Sequence, residues 1–263
     1  MNEWLDFSFM FMLGAGLLVS VAGLWLTAVM PSFDRWSKHF FRIYFIVLML
    51  SCFSCLLEMV LIALPGARTA VILLLVLESL LLSLPLPMLT VYLLHCCGED
   101  ARASGLLRAS LGLWAAYAIL LVTSPFTGVF TYVAADNQYY RGPLYALLLL
   151  PLLAIQLINL VATLRRRARL SRKAFLSFLV PLLLMTVAIF AQMFVDILPL
   201  VDIGYVLSAL SMYSFALSDQ IEQDLHRQRE IARQQQEIAN QRASIMVLQM
   251  RPHFIYNTLT SIY

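Results

Sequence analysis

The side chains best suited to chemistry lie near the C-terminal end of the sequence, where His253 is followed four residues later by Asn257. Residues four apart lie on one face of an α-helix, and Pro252 can bend such a helix where it meets the histidine. The unperturbed pKa of an imidazole is about 6.5, so its neutral nitrogen can attack the terminal phosphoryl group of ATP near neutral pH. The structural alternative is an ordinary helix bend at Pro252, with Asn257 as a local cap.

The residues around His253 also carry a family resemblance. From Gln249 to Leu259 the order Gln, Pro-His-Phe, Tyr-Asn and Leu resembles the phosphoacceptor box of the LytS-type sensor histidine kinases. The resemblance implies that His253 is the phosphoacceptor and that Asn257 supports it. It also implies a two-component system, in which a separate domain binds ATP and Mg²⁺ and a response regulator receives the phosphoryl group.

The part of a kinase that binds ATP is not visible in the sequence. No glycine-rich phosphate-binding loop occurs between Met1 and Tyr263, so we expect the catalytic domain to be missing from this chain and the segment alone to be inactive. The resemblance therefore extends to the front part of a kinase. The alternative function is a non-catalytic seven-span ligand-binding receptor or decoy that has no kinase domain.

The composition indicates a membrane protein, because 61% of the 263 residues are hydrophobic and only 13% are charged. Soluble domains have about 45–50% apolar and about 25% charged residues. The cysteines lie within or beside apolar runs, at positions 52, 55, 96 and 97, so they imply no disulfide framework. Cys52 and Cys55 have the spacing of a metal or redox pair, but we expect buried apolar thiols there, and we predict no metal site.

Seven apolar runs are close to the roughly 20 residues that cross a bilayer. They cover residues 7–30, 43–64, 70–95, 109–131, 144–164, 174–198 and 200–217. Prolines at 85, 87, 151 and 181 fall inside these runs and predict kinks in the third, fifth and sixth helices. The longest loop, over 124–143, is rich in aromatic residues and predicts an interfacial belt or a recognition lid.

The basic residues of the loops predict the orientation. The loops after the first, third and fifth runs contain eleven lysines and arginines, whereas those after the second, fourth and sixth contain two. The positive-inside rule then places the N-terminus outside and the C-terminus in the cytoplasm. The basic cluster over 165–173 is interpreted as a contact with anionic lipid of the bilayer, and no nucleic-acid partner is predicted.

From residue 218 the sequence becomes polar and rich in glutamine. Two seven-residue series of apolar side chains run through it, at Ile231, Ile238 and Ile245 and at Leu225, Ala232, Ala239 and Met246. A heptad repeat predicts a coiled coil, here a weak parallel homodimer because the intervening positions are polar. The alternative is a solvated single helix supported by charge pairs such as Glu230 with Arg233.

Five acidic or amide side chains at similar depth in the outer half of the spans predict a ligand site. They are Glu58, Glu78, Gln192, Asp196 and Asp202. Ionisable groups inside a membrane are costly, and no lysine or arginine lies in these spans to neutralise them. Either they are protonated and join helices by hydrogen bonds, or they line an outward cavity for an extracellular ligand with a positive group, such as a peptide or a small cation.

The sequence thus predicts an all-α, multi-pass protein of the cell membrane in three parts. A seven-helix transmembrane sensor domain covers residues 1–217, and a cytoplasmic signalling coiled coil covers 218–248. Residues 249–263 begin a truncated dimerisation and histidine phosphotransfer domain. The predicted function is a sensor histidine kinase that phosphorylates itself on His253.

Overall fold

A computed structural model of the protein describes residues 3–29, 34–194 and 198–260. Its elements in chain order are α1 (Glu3–Val29), α2 (Arg35–Ile62), α3 (Arg68–Ser83), α4 (Pro85–Cys96), α5 (Gly105–Thr127), β1 (Thr131–Val133), β2 (Tyr139–Arg141), α6 (Tyr145–Arg165), a 3₁₀ turn (Arg167–Arg169), α7 (Arg172–Phe194) and α8 (Leu198–Thr260). The chain divides into two compact units, Met1–Asp219 and Gln220–Tyr263.

Within the described residues, seven helices are long and apolar enough to cross a membrane, with α3 and α4 together forming one of them. Helix makes up 85% of the structure. This confirms the predicted all-α class and the number of apolar spans. Large apolar side chains cover the outside of the bundle: Phe11, Leu18, Val187 and Phe194 are each more than 65% exposed. Such a surface suits lipid, and the protein is a multi-pass membrane protein.

The second span begins earlier than its apolar run, at Arg35 instead of residue 43. Asp34 caps this helix, and its carboxylate accepts hydrogen bonds from the backbone N–H groups of Trp36 and Ser37 at 3.0 and 3.1 Å. A side-chain oxygen at this position satisfies N–H groups that the first turn leaves free. The predicted start at residue 43 was wrong because the helix begins before the apolar run. Basic residues in its first two turns lower the hydropathy there, although these turns are already helical.

The third span is divided where Leu84 precedes two prolines. Pro85 and Pro87 have no backbone N–H, so the hydrogen-bond ladder between α3 and α4 is interrupted, although Leu84 keeps helical angles (φ −59°, ψ −38°). Trp114 of α5 donates from Nε1 to the Ser83 hydroxyl at 2.9 Å beside this break. The other two predicted proline positions, Pro151 and Pro181, lie inside continuous helices.

The aromatic loop contains a short antiparallel hairpin, β1 with β2, which the sequence did not predict. Asn137 in its turn has φ +64° and donates from Nδ2 to the carbonyl oxygen of Leu64 at 2.8 Å. Arg68 at the start of α3 donates to the carbonyl oxygen of Val133 at 3.1 Å, and Arg141 donates to that of Gln192 in α7. The hairpin is therefore bonded to three neighbouring segments.

The opposite end of the bundle is held by an ion-pair cluster. Arg166 donates to both carboxylate oxygens of Glu99 at 2.9 and 2.7 Å, and Arg169 adds a third bond of 2.8 Å. The bidentate contact with Arg166 lowers the pKa of Glu99 and raises the pKa of the arginine. These contacts join the loops after α4 and α6, two of the loops with many basic residues.

Aromatic rings and buried hydrogen bonds join α2, α4 and α6. The indole of Trp36 lies 3.7 Å from the imidazole of His95 at an interplanar angle of 15°. Deeper in the bundle, the hydroxyl of Thr90 donates to the Asn159 side-chain oxygen at 2.7 Å, and the Asn159 amide donates to the carbonyl oxygen of Leu86 at 3.0 Å. Pairing of this kind removes the cost of buried polar groups.

The second unit consists of the later part of α8. Its apolar heptad positions are about half exposed in a single chain: Ile231 and Ile245 are each 54% exposed, and Ile238 is 50% exposed. The charge pairs described in this part include Arg233 with Glu237 at 3.3 Å and Arg227 with Asp224 at 4.0 Å, but not the expected pair of Arg233 with Glu230.

Candidate functional site

Three of the predicted intramembrane acids come together inside the first unit. Glu58 lies in the last turns of α2, Glu78 in the middle of α3 and Asp202 in the first turns of α8. The carboxyl group of Glu78 contacts those of Glu58 and Asp202. Their exposed fractions are only 6%, 3% and 2%. Three acids from three spans thus form one buried cluster, which we call the acid cluster.

A cysteine completes this cluster. Sγ of Cys55, one carboxylate oxygen of Glu78 and one of Asp202 all lie within 4.8 Å of one another. Cys55 precedes Glu58 by three residues on α2, so the thiol and the carboxyl group share a helix face. Thiolate and carboxylate are both metal ligands, so Cys55, Glu78 and Asp202 have the donor atoms to hold a metal ion.

The cluster contains polar atoms that the described protein does not satisfy. Ser51 donates to Oδ1 of Asp202 at 3.2 Å. Oδ2 of Asp202 and Oε2 of Glu78 are buried without a hydrogen-bond partner while the acids are ionised. Two carboxylates can hydrogen-bond to each other only if one of them carries a proton, so the contacts between the acids do not satisfy their charged forms. The arrangement can bind a cation or share protons.

No basic side chain neutralises the acid cluster. Among the described residues, none of Glu58, Glu78 and Asp202 has an ion pair with a basic side chain, whereas acids outside the cluster, such as Asp34 and Glu99, do. Arg68 is the only lysine or arginine in α3, ten positions before Glu78, and it donates to the hairpin. Ionised acids in this environment would be strongly destabilising without a counter-charge.

A separate cavity lies beside the acid cluster, under the hairpin. It has a volume of about 60 Å³ and is lined by residues of α3, α5, α6, α7, α8 and both strands. Its wall is mostly apolar, with hydroxyl groups from Ser79, Tyr117, Tyr145 and Tyr205 and with Gln192 of α7. No charged side chain lines it within the described part of the chain. An apolar cavity with a few polar groups is the usual form of a small-molecule site.

The five residues predicted to bind the ligand therefore have different positions. Glu58, Glu78 and Asp202 form the acid cluster, and none of them lines the cavity. Gln192 lies in the cavity wall, and Asp196 lies outside the residues that the structure describes. The cavity and the cluster are nevertheless adjacent. Ser79 of the cavity wall directly follows Glu78 in the sequence, and Val201 of the cavity wall directly precedes Asp202.

The residues of the phosphoacceptor-like box lie in the last part of α8. The structure describes the helix over His253 and Asn257, and their side chains lie outside the described part. The four-residue spacing on a helix places the two positions on one face.

Sequence reasoning did not include Cys55 in a site and assigned it to the apolar core. The available signal was its spacing of three from Glu58, an acid in the same apolar run. The tyrosines of the cavity gave no signal, because residues 117, 145 and 205 come from three different helices. Comparison of the chain with family models, with curated proteins and with solved structures found no match.

Proposed function

We propose that the chain is the sensor part of a membrane histidine kinase, with His253 as its phosphoacceptor. The observation that carries this proposal is the sequence from Gln249 to Leu259, which resembles a phosphoacceptor box and lies in the helix that begins as the seventh span. Under this proposal the loops with many basic residues and the C-terminal helix are cytoplasmic, where ATP is available.

The proposed reaction needs few groups from this chain. A neutral ring nitrogen of His253 attacks the γ-phosphorus of ATP, a nitrogen–phosphorus bond forms, and the bond to the bridging oxygen breaks. ADP leaves with that electron pair, and the other ring nitrogen loses its proton to solvent. Such a transfer depends on positioning and on neutralising the phosphate charge. ATP and Mg²⁺ are supplied by a catalytic domain, and an aspartate of a response regulator then accepts the phosphoryl group.

The test is phosphorylation of membranes that contain this chain together with the catalytic domain of a LytS-type kinase and radiolabelled ATP. We expect an acid-labile label that the variant His253→Gln abolishes. The matched control is His226→Gln, which changes an exposed histidine of the same helix. Label that persists in His253→Gln would refute the assignment. Absence of label in wild type would favour the non-catalytic receptor.

The proposed partner is a second copy of the chain. The exposure of Ile231, Ile238 and Ile245 supports this, because an apolar series at seven-residue spacing is half exposed in one chain and is covered in a parallel coiled coil. We expect Ile238→Cys to form a disulfide with its own copy in membranes much faster than the neighbouring Glu237→Cys. Equal rates at both positions would favour the solvated single helix.

We assign the signal to the cavity under the hairpin. A ligand there would contact five helices, so it could change how they pack. The test is mass spectrometry of small molecules that co-purify with the protein. Leu149→Phe fills the cavity wall and should remove such a molecule, whereas Leu147→Phe changes a 47% exposed position of the same helix and should retain it. Equal retention by both variants would place the molecule elsewhere.

A further inference from the structure

We propose that Cys55, Glu78 and Asp202 form a binding site for a divalent, borderline-soft metal ion of the zinc class, held between three membrane spans. This inference does not depend on the kinase assignment, since it concerns only groups of the first unit. It adds a metal where the sequence analysis predicted none, and its thiol ligand is Cys55 without Cys52. Three observations support it, namely the positions of the donor atoms, their unsatisfied bonds and the charge balance.

The positions of the donor atoms come close to those of one coordination site. Zinc binds a thiolate sulfur at about 2.3 Å and carboxylate oxygens at about 2.0–2.2 Å. In a tetrahedral site these bond lengths place two ligand atoms of one ion about 3.4–3.7 Å apart. The three donor atoms lie within 4.8 Å of one another. Side-chain rotations that bring the donor atoms closer by up to about 1 Å would place all three within bonding range of a common point.

The unsatisfied atoms point to a missing positive partner. Apart from the other groups of the cluster, Oε2 of Glu78 and Oδ2 of Asp202 are buried without a hydrogen-bond partner, and the side chains that carry them are only 3% and 2% exposed. A buried polar atom without a partner costs several kcal/mol on an order-of-magnitude scale. A metal ion would bond to these atoms and remove the cost.

The charge balance of the acid cluster also indicates a missing positive partner. Ionised Glu58, Glu78 and Asp202 with a Cys55 thiolate would carry four negative charges, and none of these acids has an ion pair with a basic side chain among the described residues. A divalent cation with the thiolate and two carboxylates leaves the site with one excess negative charge. A proton on Glu58, which is not one of these three donors, would keep its carboxyl group neutral.

The donor set selects the class of ion. Calcium and magnesium need six or more oxygen ligands or several waters, which three buried side chains do not provide. One sulfur and two oxygen ligands suit zinc and its neighbours, which take four ligands. Cys55, Glu78 and Asp202 supply three of these four ligands.

The test uses cadmium as a probe, because a cadmium–thiolate bond has an ultraviolet charge-transfer band that carboxylates do not give. The full chain is purified in detergent, stripped with a chelator and titrated with cadmium ion. We expect a saturable band at one equivalent per chain, and we expect added zinc to displace it. A wild-type protein without a saturable band would overturn the proposal.

Variants identify the ligands. The band should persist when Cys52, Cys96 and Cys97 are all replaced by serine, which leaves Cys55 as the one cysteine of the chain. It should disappear in Cys55→Ser, and Glu78→Gln should weaken cadmium affinity by at least tenfold. Loss of the band from the protein that keeps only Cys55, or an undiminished band in Cys55→Ser, would show that the ligand is another thiol.

The competing explanation is an acid cluster that shares protons and binds no metal. It makes a different forecast, in which no cadmium band forms and Glu78→Gln leaves thermal unfolding unchanged or raises its midpoint. For a metal site, zinc should raise the unfolding midpoint of wild type and leave that of Glu78→Gln almost unchanged. This readout requires no phosphorylation, so a failed kinase assay and a failed metal assay are distinguishable.

Discussion

Removal of the Glu99 carboxylate should loosen the end of the bundle where the loops after α4 and α6 meet. Glu99→Gln keeps the size of the side chain and removes the charge that accepts three bonds from Arg166 and Arg169. Hydrogen bonds to charged groups contribute about 1.5–3 kcal/mol when buried, and exposed ion pairs contribute at most about 1 kcal/mol. Glu99 and Arg166 are 27% and 22% exposed, so they lie between these limits. Arg169 is 63% exposed and contributes little.

The expected loss is therefore about 1–2 kcal/mol of unfolding free energy. For a domain of this size it corresponds to a fall of about 2–8 °C in the unfolding midpoint. The assay is thermal unfolding in detergent, followed by intrinsic fluorescence. The matched control is Asp100→Asn in the same loop, whose oxygen accepts the backbone N–H of Arg102 and can still do so as an amide. Equal losses in Glu99→Gln and Asp100→Asn would refute the reasoning.

The pH dependence of the same variant gives an independent check. Arg166 lowers the pKa of Glu99 in the folded protein, and the unfolded value is about 4.3. A lowered folded pKa contributes stability that is fully present above the unfolded pKa and is lost as the pH falls through the folded pKa. The difference between wild type and Glu99→Gln should stay constant from pH 7 to about 5 and close below about pH 4. A difference that widens in acid would contradict the ion-pair explanation.

The remaining predictions concern packing and buried hydrogen bonds, measured in the same unfolding assay. A methyl group at Gly23 would lie 2.5 Å from ring atoms of the buried Phe45, whereas one at Gly14 meets nothing within 4 Å. We expect Gly23→Ala to destabilise by about 1–3 kcal/mol and Gly14→Ala to be neutral or stabilising by up to about 1 kcal/mol; equal effects would contradict the close packing. Thr90→Val removes the hydroxyl that donates to Asn159 and should lower the free energy of unfolding by about 1–3 kcal/mol. Thr90→Ser keeps the hydroxyl and should lower it less. A larger loss in Thr90→Ser than in Thr90→Val would argue against this hydrogen bond.

The number and approximate positions of the spans could be predicted because a bilayer imposes one length on every crossing helix. The ends of the helices could not be predicted in this way, because a hydropathy window does not detect the charged and capping residues with which a helix begins or ends. Asp34 is an example: it begins a helix eight residues before the apolar run. The division at Pro85 follows from the missing N–H groups, whereas the helices stay continuous through Pro151 and Pro181.

The candidate site was predictable only in part. The cost of a carboxylate in a membrane identified Glu58, Glu78 and Asp202 one by one, since that rule needs only the sequence of each span. The rule cannot tell which residues of different helices lie next to each other. It therefore grouped Gln192 with the acids, whereas Gln192 lies in the wall of the cavity beside the acid cluster. Cys55 was assigned to the apolar core, because its position beside acids of two other helices is visible only in the fold.

The stacking of Trp36 on His95 makes the protein suitable for optical measurement. An indole in van der Waals contact with an imidazole, here at 3.7 Å between ring centres, loses part of its fluorescence to that ring, and the loss increases when the imidazole is protonated. Trp36 belongs to α2 and His95 to α4, so the emission intensity reports the spacing of these two helices. Four tryptophans occur in the chain. Replacing the other three by phenylalanine leaves Trp36 as an intrinsic fluorescent probe of the spacing between α2 and α4, without an attached dye.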